Sequence, residues 1–335
     1  MKLGLFTSCL HDRDLTGVIE VAQELGLTSL ELSTGGYFPA PHLHVDALQV
    51  SERTRSGLRE QLDRGSVSLT ALNCSGNPLH PAQSVREKHA ADLHRSIDLA
   101  AHLNVEVIVV QSGNPGAEPT STLPSWVVNP WDSAYTDALD YQWSLAVPFW
   151  KDAARHAEEK GVKLAVEMHP HQLAYNPPSL ERFITAVGSE SVGVEMDPSH
   201  LFWQGVDPVE VIERFGERVF IAAAKDTRIN HANVRRNGFL NNLWQRGGYN
   251  PPIGLGSHFE LNSPPADPSY EFVGIGKGQD LDFWATWLSA LQRVNPEIAV
   301  NIEHEDAELG PVEGLKHSAS ALRDAAERVG IGFSN

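Results

Sequence analysis

Short apolar runs alternate with longer amphipathic segments along the entire chain, and this alternation constrains the fold more than any other feature. The runs are KLGLFTS (2–8), TSLELS (28–33), VSLTALN (67–73), VEVIVVQ (105–111), VKLAVEM (162–168), SVGVEM (191–196), RVFIAAA (218–224) and EIAVNIE (297–303). Each suits one strand of a sheet covered on both faces. Between them lie helix patterns such as DLTGVIEVAQELG (14–26), SVREKHAADLHRSIDLAAHL (84–103) and PFWKDAARHAEEKG (148–161), the last closing on a glycine suited to a C-cap. Eight strand–helix units in alternation predict an α/β fold, a single (β/α)8 TIM barrel spanning residues 1–335. No strand is followed by GxGxxG and no GxxxxGK(S/T) occurs, so positive evidence for a nucleotide-binding sheet is missing.

Two connections exceed ordinary turns, residues 112–138 after strand four and residues 226–279 after strand seven. Both follow strands, which places them at the C-terminal mouth of a barrel, where barrel enzymes keep their chemistry. The second carries Trp244, Tyr249, Phe259 and Tyr270, a composition unlike disorder, and reads as an inserted lid or a partner-binding loop.

Charge narrows the function classes. The 43 acidic residues outnumber the 26 basic ones, giving a net charge of −17 with no extended basic run, which argues against nucleic acid as a partner. No segment approaches the roughly 20 apolar residues of a membrane span, and the N-terminus does not read as a signal peptide. The expectation is a cytoplasmic protein without a membrane partner, with Cys9 and Cys74 as free thiols.

Chemistry concentrates at strand ends. Strand five closes on Glu167 and His169, strand six on Glu195 and Asp197 with His200 just beyond, and strand eight on Glu303, His304, Glu305 and Asp306. Alternation puts Glu167 with His169 on one face, as it does Glu195 with Asp197 and Glu303 with Glu305. Buried carboxylates cost several kcal/mol unless something neutralises them. A salt bridge to Lys or Arg is one solution; a divalent cation is the other. Three carboxylates with at most one imidazole suit one such ion, Mn²⁺ before Mg²⁺, with Co²⁺ or Zn²⁺ also admissible.

The succession AVEMHP, GVEMDPSHL, AAAKDT and NIEHED resembles the xylose-isomerase-like barrels grouped as sugar phosphate isomerases and epimerases. LNCSGNPLHP (72–81) and QSGNPGA (111–117) resemble a subgroup of them. The resemblance implies metal ligands at Glu167, Asp197 and Glu303. The histidine usual on strand seven is replaced by Ala223, which leaves His231, His200 or water as the fourth ligand. It also implies substrate contacts at His200, Lys225, Asn73 and Gln111.

In such enzymes a metal spans adjacent sugar oxygens and acidifies the proton α to the carbonyl. Glu167 and Glu303 are the implied proton carriers, and His169 is a second candidate base. Two outcomes share this chemistry: isomerisation or epimerisation of a sugar or sugar phosphate, and elimination from a 3-oxo sugar. For the latter, the chain also looks like the α subunit of bacterial C-glycoside deglycosidases, which cleave the C–C bond of a 3-oxo-glycoside with a small β subunit. That implies an oligomer, and the long aromatic loop suits a bulky aglycone. An endonuclease IV type phosphodiesterase conflicts with the net charge, and a non-catalytic sugar-binding or scaffold subunit would account for Ala223.

Overall fold

The computed structural model describes residues 1–249 and 252–334. Its strands are β1 (Lys2–Phe6), β2 (Ser29–Ser33), β3 (Ser68–Asn73), β4 (Val107–Gln111), β5 (Lys163–Glu167), β6 (Val192–Met196), β7 (Val219–Ala224), β8 (Asp226–Ile229), β9 (Gly254–Gly256), β10 (Phe259–Glu260), β11 (Tyr270–Val273) and β12 (Ala299–Ile302). Its helices are α1 (Leu15–Glu24), α2 (Val45–Val50), α3 (Glu52–Arg64), α4 (Gln83–Leu103), α5 (Ser133–Lys160), α6 (Pro177–Val187), α7 (Ser199–Phe202), α8 (Pro208–Phe215), α9 (His231–Asn237), α10 (Leu281–Val294) and α11 (Pro311–Arg328). Strands β1 to β7 and β12 form a closed barrel, a (β/α)8 fold in which β12 pairs with β1. Each apolar run of the sequence supplies one of these strands. Strands β2, β4 and β6 are buried at every residue, as a parallel sheet covered on both faces requires.

The described residues gather into two compact units. One comprises residues 32–61 and 69–195. Its apolar heart includes the fully buried Trp150 of α5, which meets Phe183 of α6 edge-on with ring centroids 5.4 Å apart. The other comprises residues 1–31, 62–68 and 196 onward. There Trp284 and Trp287 of α10 are fully buried and edge-on at 5.2 Å.

Two features differ from the sequence expectation. The connection after β4 ends at residue 132, and α5 runs from Ser133 straight through Pro148. The Asp132 side chain caps the helix by accepting from the Ala134 N–H, and Gly161 at φ 69° closes it. Proline removes one backbone hydrogen bond, but α5 buries Ala138, Trp143, Ala146, Trp150, Ala153 and Ala157 on one side. That burial outweighs the local defect. The 226–279 insertion has its own elements: β8 and β11 pair antiparallel, Asp226 opposite Val273 and Ile229 opposite Tyr270, and β9 and β10 form a short hairpin.

Candidate metal centre and active site

The ends of β4, β5 and β6 lie in register, with Gln111 beside Glu167 and Glu167 beside Glu195. All three side chains are buried. Two neighbouring buried carboxylates repel each other and lack water, so a cation or a proton must relieve them. The Gln111 Nε2 donates to Glu167 Oε2 at 2.7 Å. An ionised carboxylate only accepts, so the Gln111 amide is oriented and its Oε1 faces elsewhere.

His169, half-buried and two residues beyond Glu167, has its Nδ1 2.7 Å from the Pro170 carbonyl oxygen. A carbonyl only accepts, so Nδ1 carries the proton and Nε2 is the accepting nitrogen. This is the tautomer that a metal ligand or a general base requires. Asn73, buried at the end of β3, uses its Oδ1 to accept from the Ser75 N–H at 3.1 Å and shapes the following turn.

Asp197 is buried just past β6, where Oδ1 accepts from the Ser199 N–H at 2.7 Å and Oδ2 from the Ser199 hydroxyl at 3.0 Å. His200 Nε2 lies 3.8 Å from Asp197 Oδ2, and its ring meets Phe272 edge-on at 5.3 Å. Lys225, 3% exposed, donates to Glu303 Oε1 and to Glu305 Oε1, both at 2.8 Å, with its ammonium 4.5 Å above the Phe272 ring. An ammonium thus already pairs with the half-buried Glu303, the salt-bridge solution to a carboxylate at a strand end, and shares its charge with Glu305.

Asp226 next to Lys225 accepts from the backbone N–H groups of Thr227, Gly276, Gly278 and Gln279 at 2.7–3.1 Å. It thereby ties β8 to the turn after β11. His231 is exposed as the first residue of α9, and Ala223 is buried within β7.

Among the described residues, one group offers metal-ligand atoms all within 4.8 Å of one another: Glu167, His169 and His200. Asp197, Glu303 and His231 are not members of that group. One carboxylate and two imidazoles form a donor set richer in nitrogen than the sequence pattern suggests, suited to a borderline divalent ion such as Zn²⁺, Co²⁺ or Mn²⁺ more than to Mg²⁺. The orienting Gln111 amide and the Pro170 carbonyl behind His169 are the outer partners that such ligands characteristically have.

Sequence reasoning missed Phe272, on which both His200 and Lys225 rest, and Ser199, which grips Asp197. The second had a local signal: a serine two residues after an aspartate favours an Asx turn. Phe272 had none, because 46 residues separate it from Lys225 in a chain whose insertion carries several other aromatics.

A family model described as the xylose isomerase-like TIM barrel matches residues 19–325. A Bacillus subtilis (strain 168) protein, YfiH, itself uncharacterized, is 34% identical over 327 residues, 96% of this chain and 98% of that protein. An inosose dehydratase of Geobacillus kaustophilus (strain HTA426) is 27% identical over 89 residues, 27% of this chain and 29% of that protein. The solved structure of the IOLI protein with a binding zinc atom superposes with a TM-score of 0.63 at 18% identity, covering 98% of this chain and 99% of that one. The match over nearly the whole length, on a closed barrel with its ionisable groups at the strand ends, makes this chain a member of the xylose isomerase-like TIM barrel family.

Proposed function

We propose that this protein is a divalent-metal-dependent enzyme that removes the proton α to the carbonyl of a polyhydroxylated ketone, with elimination as the outcome. The family supplies the class, since solved barrels of this fold include a probable 3-DHS dehydratase and an L-ribulose 3-epimerase. The observation that carries the reading is His169: its Nδ1–H is anchored on Pro170 and its Nε2 is the accepting nitrogen, beside the Glu167 carboxylate.

Glu167, His169 and His200 are the ligand set we favour, with Asp197 and Glu303 as the alternative suggested by the sequence pattern. A divalent ion held there supplies electrostatic stabilisation of the oxyanion that develops as the α-proton leaves. With all three as ligands the candidate base is Glu167, through its carboxylate oxygen off the ion; His169 is the base only where its Nε2 stays off the ion. The Pro170 carbonyl supports the positive charge that His169 gains as a base. Gln111 holds the Glu167 carboxylate in one orientation. The electron pair of the broken C–H bond forms the C=C bond, and the group on the next carbon departs with its own bonding pair and collects a proton.

Elimination is favoured over epimerisation because Glu303, the second proton carrier of a two-base epimerase, is bound by Lys225. The leaving group that we favour is the aglycone of a 3-oxo-C-glycoside, with the 226–279 insertion and a small β subunit covering it. Hydroxide, as in a dehydratase, is the other.

In D2O with Mn²⁺ or Zn²⁺ and a panel of 3-oxo-glycosides and cyclitol ketones, proton NMR should show loss of the α-proton signal followed by release of the aglycone or water. His169→Gln and Glu167→Gln should each reduce the rate by at least about 100-fold. Exchange that persists in both variants, or none in wild-type protein with metal and partner present, would sink the reading.

A further inference from the structure

The end of β4 and the loops that follow β3, β4 and β5 carry several buried polar atoms with no hydrogen-bond partner: Gln111 Oε1 on the strand, and Ser75 Oγ, Asn114 Oδ1, Gln172 Oε1 and the indole Nε1 of Trp126 in the loops. Ser75, Asn114 and Gln172 are each 3% exposed and Gln111 is 6% exposed. A buried polar atom without a partner costs about 1–3 kcal/mol, so five in this region are a feature to explain.

The loops are laced together. The Leu173 N–H donates to the Gly113 carbonyl at 3.1 Å and the Ala174 N–H to Ser112 Oγ at 2.9 Å. Asn114 and Asn77 exchange two bonds of 2.9 Å between side chain and backbone. The Tyr37 N–H donates to the Ser75 carbonyl at 2.8 Å, and Gly36 at φ 80° lies so close that a Cβ there would stand 2.1 Å from the Ser75 oxygen. Trp126 packs against His171 with ring centroids 4.7 Å apart and against Tyr175 at 5.3 Å.

Three of the five unpartnered atoms are amide oxygens, which only accept. Gln111 has turned its amide nitrogen to Glu167. Gln172 also interacts with the Tyr37 side chain, and its Oε1 is the atom left without a partner. The amide oxygens remain, so the site offers three acceptors, the Ser75 hydroxyl, which can donate or accept, one indole donor and its flat aromatic ring.

The segments 34–44, 74–82, 112–132 and 168–176 contain no lysine or arginine. The cations of the adjoining helix α4 are engaged: Lys88 with Asp92 and the Gly36 carbonyl, Arg86 with the carbonyls of His80 and Pro81, and Arg95 with Asp92. Two histidines of this region lean to the neutral form: burial followed by Lys88 pushes His89 down to about 4, and burial followed by Arg86 pushes His80 down.

We propose that these loops bind the hydroxyl-bearing end of a neutral polyol, an unphosphorylated sugar, glycoside or cyclitol, and select against its phosphate ester. Hydroxyl groups supply the donors that Gln111, Asn114 and Gln172 lack, and a C–H face of the ring suits Trp126. A phosphate brings acceptors and two charges to a site rich in acceptors, whose unpartnered donors, the Ser75 hydroxyl and the Trp126 indole, carry no charge to neutralise it. The inference rests on the reading of the site as one for a polyhydroxylated ketone.

The test is calorimetric titration of matched pairs, D-fructose against D-fructose 6-phosphate and a methyl 3-oxo-glucoside against its 6-phosphate, with metal-free and Mn²⁺-loaded protein. The neutral member should bind at least tenfold tighter. Asn114→Leu and Gln172→Met should each weaken it about tenfold, whereas Asn114→Asp, which keeps the acceptors, should retain it. A phosphate ester that binds as well as its neutral partner, absence of binding by either neutral ligand, or folded Leu and Met variants with unchanged affinity would overturn the proposal. If a variant fails to fold, the wild-type selectivity decides. Selectivity for phosphate with intact α-proton exchange would refute this inference alone; neutral binding without exchange would refute the reaction alone.

Discussion

Gln111 carries no charge, yet its amide sets how the Glu167 carboxylate points. Replacing it by leucine removes the donor without adding charge and should lower divalent-metal affinity by about 10–100-fold, measured by titration with a competing chelator, while the thermal midpoint of metal-free protein changes little. Asp306 shows the opposite balance. Burial raises its pKa, but the Lys277 ammonium at 2.7 Å and the N–H groups of Gly274 and Glu308 outweigh burial and hold it at about 2. A carboxyl depressed in the folded state stabilises above its unfolded pKa and loses that contribution as pH falls toward the folded value. Asp306 should therefore contribute up to about 2 kcal/mol at neutral pH, lost between about pH 4 and pH 2. Urea unfolding of wild-type protein and Asp306→Asn across that range should converge at the acid end.

Helix α5 joins sequence to site at the scale of the element. Its Trp150 is fully buried and donates its indole N–H to the Ser112 carbonyl at 2.8 Å, at the start of the loop that carries Asn114. Trp150→Phe keeps most of the apolar volume and orphans that carbonyl, so it should destabilise by about 1–3 kcal/mol in urea unfolding. It should also raise amide exchange in residues 112–114. An unchanged exchange pattern would mean that the loop is held by Asn77 and Leu173 alone. The helix also shows why boundaries were hard to read: Pro148 looks like a break, and only the buried stripe from Ala138 to Ala157 shows that the chain continues through it.

For the whole molecule, the expected consequence of a metal centre is linkage between binding and stability. At a free divalent ion concentration of 100 times Kd the folded state should gain about 2.7 kcal/mol. Addition of chelator should return the unfolding midpoint to the metal-free value, and Glu167→Gln should show a much smaller gain. Failure of any divalent ion to raise the midpoint would argue for a scaffold. None of the described helices is long and apolar enough to cross a membrane.

The barrel was legible because strand periodicity is a property of consecutive residues: each apolar run became a barrel strand to within a few residues. The ionisable strand ends were legible for the same reason, as was the pairing of Glu167 with His169 on one face. Which of those groups meet was not. That Lys225 pairs with Glu303, that Gln111 aligns Glu167, and that Phe272 returns beneath His200 and Lys225 all depend on residues distant in sequence. One strand end is much like another in sequence, whether its carboxylate meets an ammonium, an amide or a cation. The sequence by itself determined the strand order and the groups presented at the mouth; only tertiary packing decided their partners, because desolvation and charge pairing act through space.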